Sequence, residues 1–134
     1  MDDGWRQVAS AAALEENEVI YITQVRVFLV HTAPPLALSG VSSHVGERIA
    51  YCRQSSTFQE LAHGSKWDRL GHYLDGPAPR GMDRVASRVM DGLIEVKITD
   101  VTEGPPRGAG PPMNPTGPFC EYENPEDAQL GFLA

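Results

Sequence analysis

The chain has 134 residues, of which 41% are hydrophobic, so we expect one globular domain with a substantial core. Its formal net charge of −7 argues against a nucleic-acid partner, whose phosphates would be repelled. The two cysteines, Cys52 and Cys120, predict neither a disulfide scaffold nor a four-cysteine metal site.

The first third of the chain predicts short strands. Residues 5–14 are expected to form a strand that leads into a turn or short helix. The stretch Val19–Val30 is rich in β-branched and aromatic residues, and Thr23-Gln24 is a plausible hairpin turn within it. This stretch is too short to cross a membrane and contains Arg26, so we expect no membrane span. The acidic N-terminus also lacks the features of a signal peptide.

The middle of the chain alternates short strands with loops. After Pro34-Pro35 a strand is expected from Leu36, followed by a Ser- and Gly-rich loop over Ser39–Gly46. Two further strands are predicted at Arg48–Cys52 and Ser56–Glu60.

A strong hairpin signal follows near residue 92. Strands are predicted at Arg84–Val89 and Leu93–Val101, and Asp91-Gly92 is typical of the tight turn between them. Short strands with frequent turn residues and little helical periodicity predict an all-β fold, a small antiparallel sandwich or barrel, over residues 1–102.

Residues 103–134 form a separate region by composition. The stretch Glu103–Pro118 is rich in proline and glycine, which predicts an irregular, extended C-terminal tail. Two interpretations stay open for its end. It is either a solvated terminus or an arm that lies along a partner protein. The arm is supported by the cost of exposing aromatic and apolar side chains to water. These side chains are Phe119, Tyr122, Phe132 and Leu133.

Two loop motifs keep a fixed spacing. Ser42-Ser43-His44 is followed after 15 residues by Glu60-Leu61-Ala62-His63, which runs into Gly64-Ser65. A proline loop with the sequence GPAPRGMDR follows at Gly76–Arg84. With this spacing, the His-Gly-Ser turn and the proline loop, residues 5 to about 101 resemble the Rieske iron–sulfur proteins, and most of all the Rieske subunits of bacterial quinol–cytochrome c oxidoreductases.

The resemblance implies a fold with two ligand-type loops and a [2Fe–2S] cluster held by two thiolates and two imidazoles. It places the four cluster positions at Ser42, His44, Glu60 and His63, and the two cysteines that cross-link the loops at Glu47 and Ala62. All four cysteine positions therefore carry other residues. Serine and carboxylate oxygens are poor replacements for thiolate on sulfide-bridged iron, so we expect no conventional cluster and no bound cofactor.

Cys52 lies eight residues before Glu60 and does not replace the missing ligand. Without a cross-link, we expect the two loops to be held by packing, hydrogen bonds or an ion pair of Glu47 or Glu60 with a nearby arginine or lysine.

Other chemical interpretations of the loops remain. His44, His63 and Glu60 are the residue types of a two-histidine, one-carboxylate site for a single Fe(II) or Zn(II) ion. A [2Fe–2S] electron-transfer protein with atypical ligands is a second possibility. The alternative to both is that the histidines bond only to loop carbonyls or water, and a regulatory or ligand-binding module is a further class.

The remaining singled-out residues have structural interpretations. His31 and His72 are expected at the surface or hydrogen-bonded, and Trp67 in packing. Asp68 and Asp83 are expected to bond nearby backbone in turns. Arg80 and Arg84 are expected either to pair with carboxylates or to contact a partner.

The resemblance and the missing thiolates together predict a non-catalytic role. We expect a structural or accessory subunit of a larger membrane-associated electron-transfer complex, respiratory or photosynthetic, that contacts other protein subunits through residues 103–134. Without an export signal or a membrane span of its own, the chain is expected at the cytoplasmic face, peripherally associated with the membrane.

Overall fold

The computed structural model describes residues 3–43, 46–121 and 130–133, and most of its regular structure is β-strand. The strands and the short helix, in chain order, are β1 Arg6–Ser10, α1 Ala11–Glu15, β2 Val19–Ile22, β3 Val27–Val30, β4 Leu36–Ser39, β5 Ile49–Cys52, β6 Thr57–Glu60, β7 Lys66–Asp68, β8 Tyr73–Asp75, β9 Arg84–Met90, β10 Leu93–Thr102 and β11 Phe132–Leu133. The all-β fold class is confirmed. No helix in this part of the chain is long and apolar enough to cross a membrane.

The larger sheet has six antiparallel strands in the order β1-β10-β9-β4-β3-β2. Its longest hairpin, β9–β10, turns at Asp91 and Gly92, which have φ angles of 52° and 77°. Two consecutive positive φ angles fit the right-handed twist of the flanking strands, and glycine adopts them without strain. The predicted hairpin is therefore confirmed.

This larger sheet curls around a core of its own. Residues from all six strands meet in one apolar cluster with Leu14 of α1, and they include Leu29, Ala37, Val85 and Ile94, with Val8 and Ile20 packed against them. A cluster that collects side chains from every strand of one sheet requires the sheet to close upon itself. The barrel-like half of the fold is thus built from the first and last thirds of the predicted domain.

The second sheet carries the two loops. Its five strands have the order β11-β5-β6-β7-β8, in which β5 to β8 form an antiparallel meander and β11 pairs in parallel with β5. All four residues of β5 and all four of β6 are buried. In β5, Ile49 and Tyr51 face the core between the sheets, whereas Ala50 and Cys52 pack with Cys120 and Leu133 on the opposite face.

The C-terminal region is therefore packed against the domain where the structure describes it. Residues 103–121 are irregular, in agreement with the predicted absence of regular structure, but they cross the outer face of the second sheet. Phe132 is half-buried and Leu133 is buried, because both belong to β11. The exposure of these two side chains, which favoured a partner-binding arm, does not occur. Tyr122 lies outside the described residues.

Candidate functional site

The first loop joins β4 of the larger sheet to β5 of the second sheet, and an antiparallel bridge between Val41 and Arg48 closes its base. The Ser42 amide donates to Glu47 O at 2.7 Å, and the Gly46 amide donates to Ser42 O at 3.2 Å. Ser42 is buried, so the oxygen at the first thiolate position faces the protein interior. His44 lies outside the described residues, and the structure gives no position for its imidazole.

The second loop connects β6 to β7, which pair with each other as a hairpin. The Glu60 amide donates to Ser65 O at 2.8 Å, and the Gly64 amide donates to Glu60 O at 3.2 Å. Gly64 has a φ of 79°, a left-handed conformation that favours glycine in this turn. Glu60, at the second thiolate position, has 0% exposed surface, whereas 47% of the His63 side chain is exposed.

The two loops lie side by side because β5 and β6 are paired. Glu60 is opposite Ile49, and the Leu61 amide donates to Arg48 O at 3.1 Å across the base of the loops. His63 Nδ1 lies 3.6 Å from Glu60 Oε1, so the structure brings together two of the three residues expected for a mononuclear metal site. The expected ion pair of Glu47 with an arginine or lysine does not occur among the described residues.

The proline loop is held against the second ligand-type loop by Ser65. The hydroxyl of this buried serine accepts a hydrogen bond of 2.9 Å from the Ala78 amide. Gly76 has a φ of 94°, and a Cβ at that position would lie 2.4 Å from the Ser65 Cα. The His-Gly-Ser turn and the proline loop, which carry much of the resemblance, therefore form one packed unit.

Trp67 and Arg80 add to this unit. Trp67 is completely buried, as its packing role predicted, and its indole N–H donates to Arg80 O at 3.0 Å. The Arg80 guanidinium forms two bonds to the Asp83 carboxylate at 2.9 and 3.1 Å, which confirms a carboxylate partner for Arg80. This pair raises the pKa of Arg80, because the bond to Asp83 stabilises the charged guanidinium.

Asp68 bonds nearby backbone amides, as predicted for a turn residue, whereas Asp83 bonds the Arg80 side chain and a distant amide. Asp68 Oδ1 accepts from the Leu70 and His72 amides, each at 2.9 Å. Both carboxylates also reach the C-terminal region. Asp68 Oδ2 accepts from the Met113 amide at 2.9 Å, and Asp83 Oδ1 accepts from the Gly104 amide at 3.0 Å.

The histidines away from the loops have ordinary surroundings. His31 is exposed. His72 Nδ1 lies 3.3 Å from Asp68 Oδ2, so its ring is oriented by the same carboxylate that organises the β7–β8 turn.

The two cysteines form a disulfide, which the sequence does not predict. Cys52 and Cys120 are bonded with their Cα atoms 5.8 Å apart, across a separation of 68 residues. The bond lies away from the loops, so it does not replace the cross-link that Glu47 and Ala62 cannot form. Cys52 pairs with Thr57, three residue pairs along the hairpin from Glu60, which corresponds to about 10 Å.

A buried glutamine completes this attachment. Gln59 has 0% exposed surface, and its amide side chain donates to Cys120 O at 3.1 Å and accepts from the Cys120 amide at 3.0 Å. The Gln59 side chain thus forms with Cys120 the pair of hydrogen bonds that the backbone of a neighbouring strand would form. A glutamine beside Glu60 carries no sequence signal for this role, because its partner lies 61 positions away.

The donor atoms do not fit a conventional [2Fe–2S] cluster. Such a cluster requires two thiolates on one iron, and the two positions in question present a serine hydroxyl and a carboxylate. Both sulfur atoms of the chain's cysteines are used in a disulfide elsewhere. Among residues 3–43, 46–121 and 130–133 no group of three metal-ligating side chains comes together, but His44 is not among them.

Comparison with known proteins identifies the fold through structure alone. No family model matches the sequence, and no curated protein matches it. The plasma membrane Rieske protein PetC3 of the cyanobacterium Synechocystis PCC 6803 superposes with a TM-score of 0.57 at 23% identity, over 69% of this chain and 98% of PetC3. The soluble domain of the Rieske protein II (soxF) of Sulfolobus acidocaldarius superposes with a TM-score of 0.53 at 16% identity, over 84% of each chain. These similarities, together with the two paired loops and the proline loop, show that the chain has the Rieske fold.

Proposed function

We propose that this chain is a Rieske-fold structural or accessory subunit without a functional iron–sulfur cluster, held in a larger membrane-associated electron-transfer complex. One observation carries the proposal. The two thiolate positions are Ser42 and Glu60, and the chain's only two thiols are bonded to each other. A protein of this fold without thiolates lacks the means to hold a conventional cluster, so electron transfer by that route is not its role.

The retained motifs support a structural role. Ser65, Gly76 and Trp67 fasten the proline loop through a hydroxyl acceptor, a close backbone approach and an indole donor. These contacts stabilise the fold whether or not a metal centre is present. Their survival is therefore compatible with a scaffold that has lost its redox centre but still presents its surface to other subunits.

Association with a membrane complex is supported by the similar structures and by the surface. PetC3 is described as a plasma membrane protein, and we extend membrane association to this chain as part of the proposal. Residues 103–134 remain the proposed contact region. Although they pack on the domain where described, Met113 and Phe119 are each 41% exposed and Leu130 is 69% exposed. Exposed apolar side chains on an irregular segment suit a contact with a neighbouring subunit.

The location of the subunit is proposed from two opposing arguments. The sequence-based expectation is the cytoplasmic face. The buried Cys52–Cys120 disulfide favours an oxidising compartment, since cytosolic thiols are kept reduced. We give the disulfide more weight and propose the oxidising face. Alkylation of thiols in intact cells, followed by mass spectrometry, tests this choice. Labelled Cys52 and Cys120 would indicate the cytoplasmic face, and an intact disulfide would indicate the opposite face.

A mononuclear metal site at His44, Glu60 and His63 is the second candidate. It is favoured by the 3.6 Å separation of His63 Nδ1 and Glu60 Oε1 in the second loop. Elemental analysis of the purified chain decides between this site and a metal-free loop. One equivalent of iron or zinc that is lost in both Glu60→Gln and His63→Ala would establish it. Less than about a tenth of an equivalent of iron or zinc per chain would contradict this site.

Isolation from native membranes tests the subunit assignment. A tagged chain extracted in a mild detergent is expected to co-purify with haem- or cluster-containing subunits in a fixed ratio. A matched preparation of the Phe119→Ser variant should show a weaker association, because the variant removes an exposed aromatic contact without touching the core. Recovery of the wild-type chain as a monomer, free of redox partners, would contradict the proposal and favour a regulatory or ligand-binding module.

A further inference from the structure

A cavity of about 460 Å³ opens beside the two loops and does not include the buried positions of the degenerate site. It is bounded by Tyr21 of β2, by Arg26 of the β2–β3 turn, by Glu47 and Arg48 of the first loop, and by Ala62 of the second. Its volume falls in the range of small-molecule sites. The elements that form it come from both sheets, so the cavity lies where the two halves of the fold meet.

Three side chains with hydrogen-bond donors line this cavity. Tyr21, Arg26 and Arg48 all line the cavity, and the positive charges of Arg48 and Arg26 each act to lower the pKa of the Tyr21 phenol. Burial has the larger effect and raises the pKa of Tyr21, so the phenol is protonated at neutral pH and remains available as a donor. The Gly40 amide donates to Arg26 O at 2.7 Å, and this bond fixes the turn that carries Arg26 at the cavity rim.

The two arginines differ from others in this acidic chain. Arg69, Arg80 and Arg88 each lie within 3.0 Å of a carboxylate oxygen, on Glu18, Asp83 and Glu95 respectively. Within the described ranges, neither Arg26 nor Arg48 lies within ion-pair distance of a carboxylate. Glu47 also lines the cavity, so its lining has two arginines and one glutamate. The lining therefore has an excess of positive charge in a chain whose net charge is −7.

We propose that this cavity binds a small organic anion, whose carboxylate or phosphate group is held by Arg26, Arg48 and the Tyr21 hydroxyl. Guanidinium groups bind both kinds of oxyanion through paired N–H donors. Val41 and Leu61 also line the cavity and offer apolar surface to a short hydrocarbon body. Because residues of both loops line the cavity, a bound anion would contact both loops and stabilise their arrangement.

Titration of the full-length chain with four probes tests the proposal. Inorganic phosphate, butyrate, butyramide and sodium chloride are compared at equal ionic strength by calorimetry and by NMR of the loop amides. Phosphate or butyrate is expected to bind and to shift the Arg48 and Leu61 amides, and the stronger of the two identifies the preferred head group. Butyramide, which has the shape of butyrate without its charge, is expected to bind at least tenfold more weakly.

Charge-matched variants locate the site. Arg26→Gln and Arg48→Gln are each expected to weaken anion binding about tenfold or more, and Arg6→Gln on β1 serves as the control that removes the same charge elsewhere. If Arg48→Gln does not fold, Arg48→Lys keeps the charge while losing the paired donors, and a weakened affinity is still expected. Equal responses to chloride and to both anions, or an equal loss in Arg6→Gln, would overturn the proposal.

Discussion

At the scale of single residues, Ser65 shows how a sequence motif can outlast the chemistry usually associated with it. Its hydroxyl is buried and accepts from the Ala78 amide, so it holds the proline loop independently of any metal. The motif was visible in the sequence, and its partner was not, because a serine followed by lysine and tryptophan gives no indication of an amide 13 positions away.

Replacement of this hydroxyl has a predictable cost. Ser65→Ala leaves the buried Ala78 amide without its acceptor, and we expect the free energy of unfolding to fall by about 1–3 kcal/mol. Ser43→Ala is the matched control, since the Ser43 hydroxyl is buried and has no hydrogen-bond partner within the described part of the chain. We expect it to be neutral or slightly stabilising. Urea denaturation measures both values, and equal losses in the two variants would contradict the assigned role of Ser65.

We expect Tyr51 to make the free energy of unfolding depend on pH. Burial in the core between the sheets raises the pKa of its phenol above the ordinary value of about 10. The unfolded chain therefore loses this proton at a lower pH than the folded chain does. The resulting contribution to stability is fully present below the unfolded pKa and is lost as the pH rises past about 10. We expect the free energy of unfolding of Tyr51→Phe to decline less steeply than that of wild type between about pH 9 and 11. Parallel declines would show that Tyr51 is not responsible.

At the scale of elements, local patterns predicted the strands well. The β2–β3, β5–β6 and β9–β10 hairpins were recognisable because each has a turn signal between two runs of strand-forming residues. The attachment of residues 103–121 was not recognisable. It rests on contacts across long sequence separations, such as those of Cys120 with Cys52 and Gln59, and a proline- and glycine-rich composition conceals them.

The boundary between residues 102 and 103 therefore does not separate two independently packed units. It separates regular strands from an irregular segment, and we keep it as a proposal for the domain organisation. The two parts share a disulfide, a reciprocal glutamine contact and the β5–β11 pair. The Arg107 side chain adds bonds to Gly76 O and Ala78 O in the proline loop. Residues 103–121 thus help to position the loop region.

Loss of the disulfide should weaken this attachment. The Cys52→Ala/Cys120→Ala double variant removes a cross-link between residues 68 positions apart, so its unfolded chain is less restricted. We expect its free energy of unfolding to fall by about 4 kcal/mol. Each single variant is expected to lose nearly as much, because either one breaks the same bond. Guanidinium denaturation of the three variants and of reduced wild type provides the comparison. Unchanged midpoints would show that the buried contacts of Gln59 and Leu133 hold the segment without the covalent bond.

At the scale of the whole molecule, the Rieske fold is kept while its usual chemistry is not supported by the residues present. The sequence predicted the fold through loop spacing and the proline loop, and the similar solved structures agree with it. The expected site is described only in part, since His44 lies outside the described residues. What the sequence suggested least was the cavity between the sheets, because Tyr21, Arg26 and Arg48 come from separate elements.

Analysis of bound iron, acid-labile sulfide and reduced-state paramagnetism in the full-length chain tests the central claim most directly. The chain is produced together with a cluster-assembly system and purified without oxygen, and a cluster-binding Rieske domain is prepared alongside as the positive control. We predict neither stoichiometric iron and sulfide nor the visible absorption and paramagnetic signal of a [2Fe–2S] centre. A reducible cluster at one equivalent per chain, lost on substitution of His63, would contradict the account.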